Sequence, residues 1–334
     1  MYRILLLLYP IILLSCNDTD KPDVSGIKVD VSIERFEKDF FTIDTTNVPS
    51  ALTALQTKYP DFFPFYMQEI LGVSLASPTP DLTPVNIILS AYTPVYDSIE
   101  KKYSNFNWLE NDLESSLKYV KYYYPEYRVQ KFITYIASFD IPGVIVTKDY
   151  IGIGLHQFAG KDFSAYKLEQ IQQVYPAYIS RRFDKEYIKV NVIKAVVDDI
   201  YPDQSVGKPL IEQMVEKGKH WYMLSKFLPG EPDSTKTGYT TKQLEWAETN
   251  EGNIWAHLTK NENIYSIEPH VIQTYLGESP FTQGMPEISP GNLGQWIGWK
   301  IMEEYAQKNP DLSLPQLIAT PARSIFEGAN YRPK

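Results

Sequence analysis

The chain has one cysteine and four histidines among its 334 residues. A single thiol excludes any disulfide within the chain, so no cross-linked framework holds the fold. The histidines are His156, His220, His257 and His270, and no two lie three or four residues apart. A zinc hydrolase of the H-E-x-x-H kind needs that spacing, because it points both imidazoles at one metal ion from one helix face. Also missing are a G-x-S-x-G elbow, a phosphate loop and a dinucleotide fingerprint, which removes the visible candidates for covalent acyl transfer and nucleotide chemistry. Basic residues are in deficit: 32 Lys and Arg against 41 Asp and Glu give a formal net charge of −9. No positive field is left to hold a phosphate backbone, so nucleic acid is not an expected partner.

Long apolar runs are equally scarce, and the one present is informative. Arg3 precedes a run from Ile4 to Leu14, interrupted only by Tyr9 and Pro10, and Ser15 leads directly into Cys16. A membrane-spanning helix needs about 20 apolar residues, whereas a signal-peptide core needs only about 7 to 15. The run therefore reads as a lipoprotein signal peptide, residues 1–15, cleaved before Cys16. The small Ser15 and the uniqueness of Cys16 predict lipidation of that cysteine, each buried methylene contributing about 0.8 kcal/mol to anchoring. Residues 16–26 are the lipidated cysteine and a polar tether containing Pro22 and Gly26. A globular body is expected over residues 27–334. With 43% hydrophobic residues it can bury a large core, and the 25 tyrosines are read chiefly as core.

Along that body, Ile27, Val29, Val31 and Ile33 alternate with polar residues, the period of a half-buried strand. Helix-like segments follow over residues 50–71, broken at Pro60 and Pro64, and over 94–104. Asn107 and Glu110 have capping-box spacing ahead of Leu109, Leu113, Leu117, Val120 and Tyr124, which recur every three or four residues. Residues 129–139, 144–147 and 150–155 predict a three-strand meander, broken at Pro142-Gly143. Gly152 and Gly154 share one face of its last strand and offer bare backbone to a packed helix, the favoured occupant, or to an extended ligand. Helices are expected over residues 165–175, 184–200 and 209–227, from Thr240 with Gln243 in a capping box, over 290–309 with Ser289 as cap, and from Leu314. Strands early and helices late give an α+β body.

Candidate chemistry is sparse. His220, between Lys219 and Trp221, reads as a packed or surface histidine. Asp198 and Asp199 point about 100° apart on a helix and read as a solvated face. No catalytic, metal-ligating or cofactor-binding residue emerges, and the sole modification site is Cys16.

The lipidated start, Glu34-Arg35-Phe36, Gly152-Ile153-Gly154-Leu155-His156, Gly218-Lys219 with Tyr222, Asn253-Ile254-Trp255, Gly291-Asn292-Leu293-Gly294-Gln295-Trp296-Ile297-Gly298-Trp299 and Ser313-Leu314-Pro315-Gln316-Leu317 occur in one order. Together they resemble the gliding motility lipoprotein GldB family over nearly all of the body. The resemblance implies a cell-envelope lipoprotein needed for movement of surface adhesins, with partners among the gliding motility and type IX secretion machinery. It also implies distant similarity to zincin-like metallopeptidases, hence a zincin-like α+β fold with a small mixed β-sheet and a predominantly helical second half. In such peptidases an H-E-x-x-H helix follows the sheet; here the corresponding helix, residues 184–200, has no histidine. The expectation is therefore a non-catalytic protein-binding scaffold without cofactor, anchored by lipid at the outer membrane and facing the periplasm. The alternative is a zinc-dependent hydrolase with a site rebuilt from His156, His220 or Glu216. A third reading is a carbohydrate-binding lipoprotein using exposed tyrosines.

Overall fold

Nearly continuous burial along the two central strands in the middle of the chain marks a sheet with both faces covered. The computed structural model describes residues 21–77, 79–261 and 263–333. Its strands β1 (Ile33–Arg35), β2 (Lys131–Tyr135), β3 (Val144–Val146) and β4 (Tyr150–Gly154) lie in the order β1-β2-β4-β3. β1 and β4 both run parallel to β2, and β3 closes one edge antiparallel to β4. Phe132 stands beside Ile151 and Thr134 beside Ile153 on one face, while Ile133 pairs with Gly152 and Tyr135 with Gly154 on the other. Phe132, Ile151 and Ile153 join the larger core, and Ile133 and Tyr135 the smaller one. The small mixed sheet within an α and β architecture is as expected.

Helices cover the sheet and extend well beyond it. The first half contributes α1 (Phe36–Phe41), α2 (Val48–Lys58), α3 (Phe63–Phe65) running into a π turn, α4 (Thr83–Lys102) and α5 (Asn107–Tyr123). After β4 come α6 (Glu169–Val174), α7 (Ala177–Ser180), α8 (Glu186–Ile200), α9 (Leu210–Phe227) and α10 (Asp233–Thr237). The chain finishes with α11 (Thr241–Thr249), α12 (Glu251–Asn261), α13 (Pro269–Leu276), α14 (Leu293–Lys308), α15 (Leu314–Ala319) and α16 (Ala322–Ala329). α1 to α4 enclose the smaller core, rich in aromatics, against Ile133 and Tyr135. The stripe Leu109, Leu113, Leu117 and Val120 of α5 is fully buried in the larger core, together with α8, α9 and α14. No helix among the described residues is long and apolar enough to cross a membrane.

Several expectations are corrected. The three strands of residues 129–155 do not form a meander, because β4 rather than β3 lies beside β2. His156, just past β4, accepts from the Ala137 N–H at 3.2 Å through Nδ1 and contacts the Ile141 carbonyl at 3.0 Å through Nε2. These bonds hold the segment after β2 over the end of β4, so the chain passes to the far edge before forming β3. The early alternation yields a strand only at Ile33–Arg35; the Ile33 N–H is taken by Glu110 Oε1 at 2.9 Å. That bond spends the carboxylate assigned to a capping box, and α5 begins with no side-chain cap. Nor does a helix lie on Gly152 and Gly154. The Tyr135 ring lies 3.2 Å from where a Gly152 Cβ would stand, and the His156 and Tyr135 rings lie 2.5 and 3.0 Å from a Gly154 Cβ.

The second half is tied together by one close crossing. A Cβ on Gly218 of α9 would fall 2.1 Å from the Gly298 carbonyl carbon, and a Cβ on Gly298 of α14 would fall 1.7 Å from the Met214 carbonyl oxygen. Only glycine permits this backbone contact. Along the seam Met214, Val215, Trp296, Ile297 and Ile301 are completely buried. The Thr240–Gln243 capping box forms as expected, and α15 starts with another at Ser313 and Gln316. α14 starts later than its sequence suggests, at Asn292 in the left-handed region with φ 49°. Ser289 does not cap it, because the Ser289 hydroxyl oxygen accepts from the Thr282 N–H at 3.3 Å while Thr282 Oγ1 donates to the Pro290 carbonyl at 2.9 Å.

Candidate functional site

The residues named for a rebuilt metal site are not brought together as one. His156 is wholly buried beneath Tyr135 and Phe139, and burial holds its imidazole down at about 4, despite the Ile141 carbonyl. With Nδ1 accepting, its Nε2 must carry the proton given to Ile141, so neither nitrogen has a lone pair to offer a metal. His220 sits on α9 with Nδ1 2.9 Å from the Glu216 carbonyl and Nε2 2.9 Å from the Tyr201 carbonyl. Both ring nitrogens of His220 thus face acceptors. Glu216, one turn away, is buried and charged: Lys208 reaches it at 2.7 Å, the Tyr201 hydroxyl at 2.9 Å and Lys219 at 3.2 Å. Burial would push the Glu216 carboxyl up, but the Lys208 bond, the Lys219 charge and the Tyr201 bond hold it below the ordinary glutamate range. It is a satisfied buried ion cluster. Among the described residues no three of His, Cys, Asp and Glu gather into a group that could hold a metal ion. Cys16 lies outside the described residues.

A different feature stands out between α8, α9 and the start of α14. Lys194 and Asp198, one turn apart on α8, line a cleft of about 200 Å³ with Lys217, His220 and Trp221 of α9, Thr237, Glu278, and Asn292 and Gln295 at the head of α14. An adjoining recess of about 20 Å³ shares Thr237, Glu278 and Asn292 and adds Arg181, Arg182 and Tyr239. Most charges there are paired: Arg182 forks onto Glu278 at 3.1 and 3.2 Å, Lys217 meets Asp203 at 2.6 Å, and Asp198 lies 3.5 Å from His220. Lys194 is the exception, with no hydrogen bond or ion pair among the described residues. Burial, reinforced by Arg182, lowers its ammonium to about 8, against the pull of Glu278 and Asp198. Larger hollows exist, of about 340 and 450 Å³; the first is lined in part by the Lys189–Glu231 pair at 2.6 Å, and the second by Glu303, which meets Lys300 at 2.9 Å.

Local packing fixes the head of α14. A Cβ on Gly291 would strike the Ser279 carbonyl at 2.2 Å, and one on Gly294 would come within 2.9 Å of the Tyr275 carbonyl. The chain is therefore pinned against α13 and the loop after it, and Gln295 Nε2 donates to the Leu276 carbonyl at 2.6 Å. Asn292, only 4% exposed, is left with its Oδ1 unpartnered, and Tyr239, 5% exposed, has an unpartnered hydroxyl. Sequence reasoning named Asn292 only within a motif, and missed Lys194 and Tyr239 altogether. Want of a partner is a property of the assembled elements and carries no local signal. The solvated reading of Asp198 and Asp199 agrees with their exposure, although Asp198 also borders the cleft. Tyrosines are largely core: Tyr66, Tyr103, Tyr135, Tyr166 and Tyr275 are among the largest fully buried side chains.

Comparison with known proteins gives one family: the model described as gliding motility protein GldB matches residues 17–333. No curated protein and no solved structure matches.

Proposed function

The chain belongs to the family of the gliding motility protein GldB, and from that premise we propose that it is a lipid-anchored, non-catalytic scaffold that binds other proteins of the gliding machinery. Its partners are components of that machinery and of the type IX secretion system that exports the adhesins. The anchor is Cys16, and the body stands on the periplasmic side of the outer membrane. The fold is read as zincin-like, with α8 in the place of the metal-binding helix that follows the mixed sheet. The observation that carries the non-catalytic reading is the state of this helix and its surroundings. Where two imidazoles one turn apart would face the cleft, Lys194 and Asp198 do so. An ammonium and one carboxylate do not make a zinc site, and the nitrogens of His220 are turned to the carbonyls of Glu216 and Tyr201. Zinc does not fit the residues present.

The test is total metal by mass spectrometry on the full chain purified without chelator, for wild type and His220→Ala, alongside a peptide-hydrolysis assay. The scaffold reading expects zinc far below one per chain and no hydrolysis above a boiled control. Zinc near one per chain, lost together with hydrolysis in His220→Ala, overturns it in favour of a rebuilt metallohydrolase.

A further inference from the structure

The cleft beside α8 is electrostatically unlike the rest of the chain. Against a total of −9, its walls and recess carry four cationic side chains, Lys194, Lys217, Arg181 and Arg182, and two anionic ones, Asp198 and Glu278. α14 adds the partial positive charge of a 16-residue helix whose first N–H groups have no side-chain cap. Two buried polar atoms there await partners, Asn292 Oδ1 and the Tyr239 hydroxyl, and the half-buried Lys194 ammonium beside Asn292 has no hydrogen bond or ion pair among the described residues. A buried polar atom left unmatched is destabilising, so a ligand that matches these groups recovers part of that loss on binding. Its chemistry is dictated by the set. Lys194 calls for an anionic oxygen, Asn292 Oδ1 for a donor, and the tyrosine hydroxyl accommodates either. A volume of about 200 Å³ is below the range of about 300–1,000 Å³ usual for whole cofactors and drug-sized molecules, and fits the end of a chain better.

We propose that this cleft captures the C-terminal residue of a partner polypeptide, its carboxylate on Lys194 and its amide N–H on Asn292 Oδ1. A chain terminus carries both groups on a single residue and can enter a small cleft end-on. This rests on the protein-binding reading above and specifies how binding occurs. The side chains facing Lys194 are Asp198 from its own helix, Arg182 ahead of α8, Glu278 after α13, and Lys217 and His220 from α9. Carboxylate binding keeps the Lys194 proton in place, so affinity falls as pH rises above about 8.

The experiment titrates N-acetyl-Ala-Ala into the purified full chain, followed by saturation-transfer NMR and calorimetry, and repeats it with the same dipeptide as its C-terminal amide and with acetate. The acid is expected to bind, with the amide and acetate each at least about tenfold weaker, the loss expected for one charge-assisted or buried hydrogen bond. Lys194→Met and Asn292→Gly, the latter preserving the left-handed backbone, are each expected to weaken the acid by about tenfold or more while circular dichroism stays unchanged. Equal binding of acid and amide, equal binding of acetate, or no binding of the acid up to about 10 mM overturns the proposal. If partners are still crosslinked in cells by Lys194→Met as by wild type, the scaffold reading stands and this site falls alone.

Discussion

Replacing Gly298 by alanine tests the α9–α14 crossing, on which the position of the cleft depends. The new methyl would stand 1.7 Å from the Met214 carbonyl oxygen and 2.3 Å from its carbon, both backbone atoms that cannot rotate away. Restoring ordinary contact requires the helices to part by roughly 1.5 Å, and a gap of about 0.5–1 Å already forfeits a quarter to a half of each dispersion contact. The seam holds the wholly buried Met214, Val215, Trp296, Ile297 and Ile301, so the loss is spread over several large side chains. Overpacking alone costs about 1–3 kcal/mol, and with the opened seam added the expected loss is about 3–5 kcal/mol. Urea denaturation followed by circular dichroism measures it. Gly218→Ala imposes the same separation, so the double variant should lose clearly less than the sum of the two. Gly230→Ala, with nothing within 4 Å of its Cβ, serves as control and should change stability by no more than about 0.5 kcal/mol. A loss below about 1 kcal/mol in Gly298→Ala refutes the close crossing.

Three further outcomes follow from the buried charges. Glu216→Gln leaves Lys219, 1% exposed, beside a neutral amide and should cost about 2–3 kcal/mol in the same assay. Because the Glu216 carboxyl is held low when folded, its contribution in wild type is present above its unfolded value of 4.5 and is lost as pH falls below it. His156 is held neutral down to about 4 against 6.5 unfolded, so the unfolded chain gains a proton first. Stability should fall by about 3 kcal/mol between pH 6.5 and 4, a slope absent from His156→Gln, measured by denaturation at stepped pH. Lys194→Met removes an unpaired, desolvated ammonium and should raise stability at pH 7 by about 1–2 kcal/mol, after allowance for the solvent that reaches the cleft. With the folded ammonium at about 8 and the unfolded one at 10.5, wild-type stability rises with pH across that window and the variant's advantage should vanish above it.

What could be read in advance follows the range of the interaction responsible. The Thr240–Gln243 box was legible because both of its bonds are made within one turn. α8 and α9 were legible because their apolar stripes repeat along one helix, with Pro209 marking the start of the second. Ser289 ahead of Pro290 looked like a cap, but Thr282 competes for it from across the loop and α14 begins at Asn292. The meander failed for a similar reason. Alternation identifies a strand but not its neighbour; β2 pairs with β4 over five residues, and His156 ties the segment after β2 to the end of β4 through Ala137 and Ile141. α4 was recognised only from Pro94 onward, since Pro94 interrupts the helical signal within a helix that nonetheless runs through it from Thr83 to Lys102. The cleft was the least legible feature. Lys194, Tyr239, Glu278 and Asn292 come from separate elements, and none of them carries a motif that marks a want of partners.

The central claim is that this chain works by holding other envelope proteins, and crosslinking in living gliding cells tests it most directly. The full lipoprotein is tagged, crosslinked in place and its adducts are identified by mass spectrometry, with a Cys16→Ala variant as the unanchored comparison. The account predicts adducts with motility and secretion components in wild type, and their loss together with membrane association in Cys16→Ala. Wild-type protein that is membrane-bound yet yields no motility or secretion component, under conditions that crosslink known neighbours in that machinery, would contradict it.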